Sequence, residues 1–275
     1  MKRKRSELNT VVTLIIILFC AILSFFVIQK IVTTYSGKTP IDICRLSVLT
    51  QAETARIPAI SGEKSPFSID CDTRYVHFYN DRVETGYKID KTSPMEIMYN
   101  GKKVKEFGSL NEYIVNQVIA EEMRICYYQF GAGKLHVFDN SIYGNNDVCF
   151  ICSQIDFKDV PNTIPQRQYT GLMEYFNKTY IKNEKMTYFQ YFNQNGVSIP
   201  WKTFVERIGN INIDTTETYA VIFTKQDRRL GVLITQGLLS VVGVSPTGSS
   251  SALNSYYVYA LPAKSINDRC DVIAN

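Results

Sequence analysis

VCFICSQIDF, at Val148–Phe157, is the stretch on which the fold turns. It is rich in β-branched and aromatic side chains, contains no Gly or Pro, and carries one charge, Asp156. Such a run packs well on a pleated surface and reads as a strand in the middle of a sheet. Upstream, SLNE at 109–112 has the form of a capping box, in which a hydroxyl and a carboxylate satisfy each other's backbone N–H. It opens a helix over 110–130, where Ile114, Gln117, Val118, Glu121, Ile125 and Tyr128 fall at helical spacing and Gly131 and Gly133 supply the stop. Asn100-Gly101, flanked by strand candidates at 95–99 and 102–107, signals a type I′ hairpin. Residues 67–71 and 74–79 alternate as strands do. Residues 41–55 read as an amphipathic helix, with Ile41, Cys44, Val48, Ala52 and Ala55 near one face.

Downstream the elements are shorter. Residues 171–177, 186–192 and 200–207 read as short helices, and 219–224, 230–239 and 255–261 as strands. Prolines 161 and 165 frame one loop, and a Gly/Ser-rich loop occupies 245–251. Helices and strands follow one another without a regular βαβ rhythm. The expected class is therefore α+β: an N-terminal transmembrane helix followed by a mixed domain with mainly antiparallel strands.

The N-terminus carries the clearest topological signal. Residues 8–29 contain no charge, and as a helix they span roughly 33 Å, matching a hydrocarbon core of about 30 Å. Lys2, Arg3, Lys4 and Arg5 precede the run, so the positive-inside rule places the N-terminus in the cytoplasm and the C-terminus outside. The run is too long for a cleaved signal peptide, and no small-residue cleavage site follows it. The expected organisation is a basic tail at 1–7, a retained signal-anchor at 8–29, a membrane-proximal helix and connector at 30–57, and an ectodomain at 58–275. A second apolar stretch at 230–244 is short and interrupted by glycines, and a buried strand pair suits it better than a span. A pilin-like start remains a competing reading of the basic tail and apolar helix, although Ser6-Glu7-Leu8 lacks the small residue expected at such a processing site.

The formal charge of +4 is a property of that tail. Residues 1–7 carry a net +3, leaving a net +1 for the other residues. A nucleic-acid partner needs clustered positive charge that this overall balance does not announce, so none is expected. The expected contacts are membrane lipid through 8–29 and an envelope protein or glycan. The chain also has 18 Tyr, and its aromatic clusters at Tyr127-Tyr128, Tyr175-Phe176, 188–192 and 256–259 suit either a contact surface or a core.

Cys20 lies within the apolar run. Cys44, Cys71, Cys126, Cys149, Cys152 and Cys270 fall on the side expected to be oxidising, so disulfides are expected. Spacing leaves the connectivity open. The preferred pairs are Cys44–Cys71 and Cys126 with the Cys149/Cys152 region, with Cys270 taking the remaining partner. Two other readings attach to CFIC. A redox pair wants its first thiol at a helix N-terminus, which this strand does not offer. A zinc site from Cys126, His136, Cys149 and Cys152 has suitable ligand types but one close pair, where structural sites commonly have two. No metal, cofactor or catalytic residue is expected.

Other chemistry is thin. His77 sits in an alternating strand and reads as a surface or packing residue. Neither histidine lies in H-E-x-x-H. Gly131-Ala132-Gly133-Lys134 lacks the remaining P-loop positions, and position 247 is Thr where G-x-S-x-G needs Gly. Glu121 and Glu122 are adjacent on a helix and should face different ways. Asn177-Lys178-Thr179 is a glycosylation sequon and would need an exposed loop.

Together the basic start, the anchor, CRLSV at 44–48, SIDCDT at 68–73, AEEMRICYYQFGAG at 120–133, CFIC at 149–152 and CDVIAN at 270–275 carry a resemblance over most of the chain. The order of these motifs resembles a group of uncharacterised archaeal single-pass membrane proteins with a cysteine-containing ectodomain. The resemblance implies an anchor-plus-ectodomain plan at an archaeal surface and carries no activity, catalytic residue or substrate. The stretch at 230–244 is shorter than the glycine-rich apolar segment of that group. The expected function is a membrane-anchored cell-envelope protein whose outer domain binds a protein or glycan or serves in surface assembly. A pilin-like or secretion-system subunit, or an envelope thiol, redox or hydrolytic enzyme using Cys149 and Cys152, are the alternatives.

Overall fold

The computed structural model describes residues 18–19, 22, 39–54, 69–133, 135, 147–159, 168–193, 212–226 and 255–274. The chain divides into two compact units, Met1–Ile43 and Cys44–Asn275. In the first, Leu18, Phe19 and Ile22 are helical and exposed. The rest of the expected anchor at 8–29 lies outside the described residues, as do 30–38, 55–68 and 227–254. Among the described residues, no helix is long and apolar enough to cross a membrane.

Helix α1, Pro40–Thr54, runs across the boundary between the units. Its start is a capping box: Asp42 N donates to Thr39 Oγ1 at 3.4 Å, and Thr39 N donates back to Asp42 Oδ2 at 3.3 Å. Cys44, Val48 and Ala52 form the expected buried stripe on its second-unit portion.

The second unit is a mixed α+β fold built on a mainly antiparallel sheet. Its strands are β1 (Arg74–Phe78), β2 (Val83–Lys88), β3 (Lys91–Pro94), β6 (Val148–Phe157), β9 (Tyr219–Gln226), β10 (Ser255–Pro262) and β11 (Val272–Ala274). The order is β10-β9-β6-β1-β2-β3, with β11 also on β6. One edge of β6 pairs antiparallel with β9. The other is shared end to end, β11 running parallel to residues 148–150 and β1 parallel to 153–157. VCFICSQIDF is thus the central strand.

A β-bulge decides which side chains it shows to each face. Ile151 opposes Ile222 and Ser153 opposes Val221, so Cys152 is the extra residue. Val148, Phe150 and Cys152 belong to the main core before the bulge, and Ile155 and Phe157 after it. Cys149 and Ile151 join a smaller cluster on the opposite face with Ala220, Ile222, Tyr259, Leu261, Ile266 and Cys270.

Helix α2, Glu112–Gln129, covers the main-core face. It is buried on nearly all sides, which a sheet on one flank and a second helical layer on the other explain. Toward the sheet, Phe130 just beyond its end stacks on Phe223 (centroids 4.3 Å apart) and meets Phe150 at 5.0 Å. The outer layer is α3, Leu172–Lys178, and α4, Tyr188–Phe192. There Tyr127 meets Tyr191 and Phe192 edge-on, and Phe176 meets Phe192. The aromatic clusters at 127, 175–176 and 188–192 therefore build core; Tyr175, Phe176, Tyr188, Tyr191 and Phe192 are all buried. Burying each such ring contributes about 1.5–3 kcal/mol.

The start of α2 differs from expectation. Asn111, in place of Ser109, is the cap, its Oδ1 accepting from Ile114 N at 3.1 Å. Leu110 and Val115 are both buried, at the positions of a hydrophobic staple, so Leu110 enters the core before the helix begins while Ser109 stays exposed. Glu112, freed from the box, accepts from Thr170 Oγ1 at 3.2 Å.

Asn100 and Gly101 have φ of 50° and 75°, the type I′ turn their sequence signals, between β4 (Ile97–Tyr99) and β5 (Lys102–Val104). A short pair, β7 (Gln168–Tyr169) with β8 (Ile213–Asp214), completes the described strands. Residues 69–73, expected partly as strand, are irregular. β2 and β3 were not expected: VETGYK and KTSP are too polar to announce strands. Gly86 permits their pairing, because a Cβ there would lie 2.3 Å from Lys91 O.

Candidate functional site

The six cysteines of the second unit are held as Cys44–Cys71, Cys126–Cys152 and Cys149–Cys270, with Cα separations of 4.4, 5.6 and 5.6 Å. The bulge in β6 explains how both CFIC thiols find separate partners. Cys152 faces α2 and meets Cys126, while Cys149 faces the other way and meets Cys270. The two are therefore not a dithiol pair, and three of the four residues of the zinc alternative are taken up by two bridges, Cys126 and Cys152 by one and Cys149 by the other. His136, its fourth residue, lies outside the described residues. No group of three or more His, Cys, Asp or Glu able to hold a metal occurs among the described residues.

Asn177 sits in the last turn of α3 and is half-buried, in place of the exposed loop its sequon would need. Residues 131–133 form a short 3₁₀ turn closing α2, in line with the stop reading. The apolar stretch at 230–244 and the Gly/Ser loop at 245–251 lie outside the described residues, as does the expected helix at 200–207.

Glu121 and Glu122 diverge as their adjacency requires. Glu121 accepts from Arg124 and from the Tyr188 hydroxyl. Glu122 points into the protein, 1% exposed, and accepts from Arg74 Nη2 of β1 at 3.0 Å. Ser153, the register partner of Arg74 on β6, faces the same carboxylate. Burial pushes the Glu122 carboxyl above the usual range, Arg74 opposing it and Glu121 adding to it. Burial also opposes the charge on Arg74, but Glu122 and Tyr87 outweigh it.

On the other face of the same strands lies a row that sequence reasoning missed. β1 runs between β2 and β6, and the registers align Glu84, His77 and Asp156 across the three. His77 is 2% exposed, and its Nδ1 lies 2.5 Å from Asp156 Oδ1. It is a buried hydrogen-bonded residue, neither on the surface nor merely packed. Asp156 is 29% exposed, so the row reaches solvent at that end. At the other end Glu84 accepts from Arg82 Nε and Thr92 Oγ1, both at 2.8 Å. The Arg82 bond holds the Glu84 carboxyl below its usual range, partly offset by burial. Arg82 also lies over the Tyr79 ring, 4.2 Å from its centroid.

Asp156 is the only hydrogen-bond partner of His77 among the described residues, and Nε2 has none. The His77–Asp156 bond fastens β1 to β6, and the Thr92–Glu84 bond fastens β3 to β2. No hydroxyl or thiol among the described residues is hydrogen-bonded to the imidazole as a nucleophile would be. The missed signal was the alternation of Tyr75, His77 and Tyr79 together with Asp156 in the central strand. Its meaning depends on a parallel pairing between segments 79 residues apart.

No family model, curated protein or solved structure matches the chain.

Proposed function

We propose that this chain is a membrane-anchored cell-envelope protein whose disulfide-bonded α+β domain lies outside the cell and acts by binding a protein or glycan or in surface assembly. The observation that carries the reading is the set of three cysteine pairs built into the core, with Cys44, Cys126 and Cys149 fully buried. Such bridges persist on the oxidising side of a membrane. The uncharged run at 8–29 and the basic residues before it support an anchor with its N-terminus in the cytoplasm. The same plan accords with the resemblance to archaeal single-pass membrane proteins. Cys149 and Cys152 belong to different bridges, which leaves a thiol enzyme without its pair.

The test combines two measurements on the full chain. Alkylation under denaturing, non-reducing conditions should label Cys20 alone, with the other six thiols appearing after reduction. Protease added to intact cells should remove the domain while sparing residues 1–7. Labelling of several thiols, or a protected domain, overturns the reading. An intact mass lacking the residues before Leu8 overturns the retained anchor in favour of a pilin-like subunit.

A further inference from the structure

The overall charge balance of the domain conceals a local concentration of lysine. The β4–β5 hairpin and the turn at 182–185 come from segments about 80 residues apart in the chain, yet they meet. Glu96 pairs with Lys103 at 3.0 Å, and Lys105 and Lys182 act on the same carboxylate. Lys103 and Lys182 are themselves neighbours. Lys105 is exposed beside them, Lys103 is 57% exposed, and Lys102 at the hairpin tip and Lys185 at the end of the turn are exposed as well.

Bringing ammonium groups together costs energy that surface ion pairs only partly recover. Across the two segments Lys102, Lys103, Lys105, Lys182 and Lys185 outnumber Glu96, Glu106 and Glu184, leaving an excess of positive charge. The platform is also well held. With its amide oriented as its partners require, Gln117 of α2 donates to Met98 O at 2.7 Å and accepts from Met98 N at 2.9 Å, docking the hairpin on the helix. A bridge between Tyr180 and Thr187 closes the second segment. Tyr180, two residues from Lys182, is 66% exposed.

We infer that the lysine-rich surface of the β4–β5 hairpin and the 182–185 turn, with Lys103, Lys105 and Lys182 at its centre, binds an acidic polysaccharide. Lysines on a rigid platform supply the charge, and an exposed aromatic ring with a polar tip suits the face of a sugar. Among the described residues of these two segments Tyr180 is the one exposed large apolar side chain, and its ring ends in a hydroxyl, which favours a glycan over insertion into a lipid surface. The inference rests on the binding reading above and names the chemistry of the partner.

The experiment uses the purified full chain in neutral detergent, with immobilised heparin as the polyanion probe and a salt gradient. Its readout does not depend on the membrane topology, so its failure is distinguishable from failure of the anchor. The quadruple variant Lys102→Gln, Lys103→Gln, Lys105→Gln, Lys182→Gln should keep its melting transition and bind about tenfold more weakly at physiological salt. Replacing Lys2, Arg3, Lys4 and Arg5 by Gln should leave the difference intact. Tyr180→Ala should weaken binding further without altering its salt slope. Equal retention of the wild type and the quadruple variant overturns the inference, as does retention that vanishes with the tail charges alone. Tighter binding to phosphatidylglycerol vesicles than to heparin also overturns it and assigns the face to lipid.

Discussion

Arg74 and His77 stand three residues apart on β1 and face opposite sides of one sheet, yet the two sides treat ionised groups differently. On the α2 side, the Arg74–Glu122 pair is enclosed, with the carboxylate 1% exposed. On the other side, His77 is enclosed, but its partner Asp156 remains 29% exposed and Glu84 keeps two further partners. One face isolates its charge within a helix-covered core. The other sets a buried imidazole against a carboxylate that reaches water. The disulfides follow the same division, Cys126–Cys152 on the α2 face and Cys149–Cys270 on the other.

The largest expected effect separates the two bridges. In a chain-entropy account, opening Cys149–Cys270, with a sequence separation of 121, costs about 5 kcal/mol, against about 3.5 kcal/mol for Cys126–Cys152, with a separation of 26. Urea unfolding of the paired Cys→Ala variants measures both. The reverse order would mean that packing at α2 outweighs loop closure.

Next come the charge pairs. Glu122→Ala strands a buried guanidinium and should cost about 3–5 kcal/mol, whereas Arg74→Met with Glu122→Leu should recover most of that loss. Asp156→Ala opens the His77 pair toward solvent and should cost about 1–2 kcal/mol. A larger loss at Asp156 than at Glu122 would erase the contrast between the faces.

The two glutamates should also give opposite pH slopes. The folded value of Glu122 is raised, so the folded state keeps a proton that the unfolded chain releases. Stability from this group falls as pH rises above the ordinary carboxylate value of about 4.3. The folded value of Glu84 is lowered, so its contribution is present above that value and is lost as pH falls through the lowered one. Glu122→Gln should flatten the first slope and Glu84→Gln the second, as read from unfolding midpoints across pH. The smallest effect belongs to Lys264 and Glu217, an exposed pair: Lys264→Gln should shift stability by less than about 0.5 kcal/mol.

Much of this architecture was legible locally. VCFICSQIDF, the helix behind it, the Asn100-Gly101 turn and the stripe of Cys44, Val48 and Ala52 each carry their signal within a few residues. What was missed depends on distant partners. β2 and β3 are polar because one flank is wet, and three-residue β11 exists as a strand only because β6 offers it an edge. The burial of His77 follows from a parallel register, which no local pattern encodes. The aromatic clusters were ambiguous for the related reason that a ring packs equally well into a core or a partner. The capping error at Ser109 is different in kind: two competent caps lay two residues apart, and the burial of Leu110 chose between them.

The shared edge of β6 bears on how the protein is made. Residues 148–150 find their parallel partner in 272–274, and Cys149 finds Cys270, only after more than a hundred further residues have been synthesised. Until then the first three residues of that edge on the central strand are an open template, carrying a cysteine without its native partner. Such non-local pairing is slow, and exposed strand edges recruit other chains. Biogenesis therefore favours oxidation that waits for residues 270–274, and a nascent chain halted before them would be prone to wrong bridges and to aggregation.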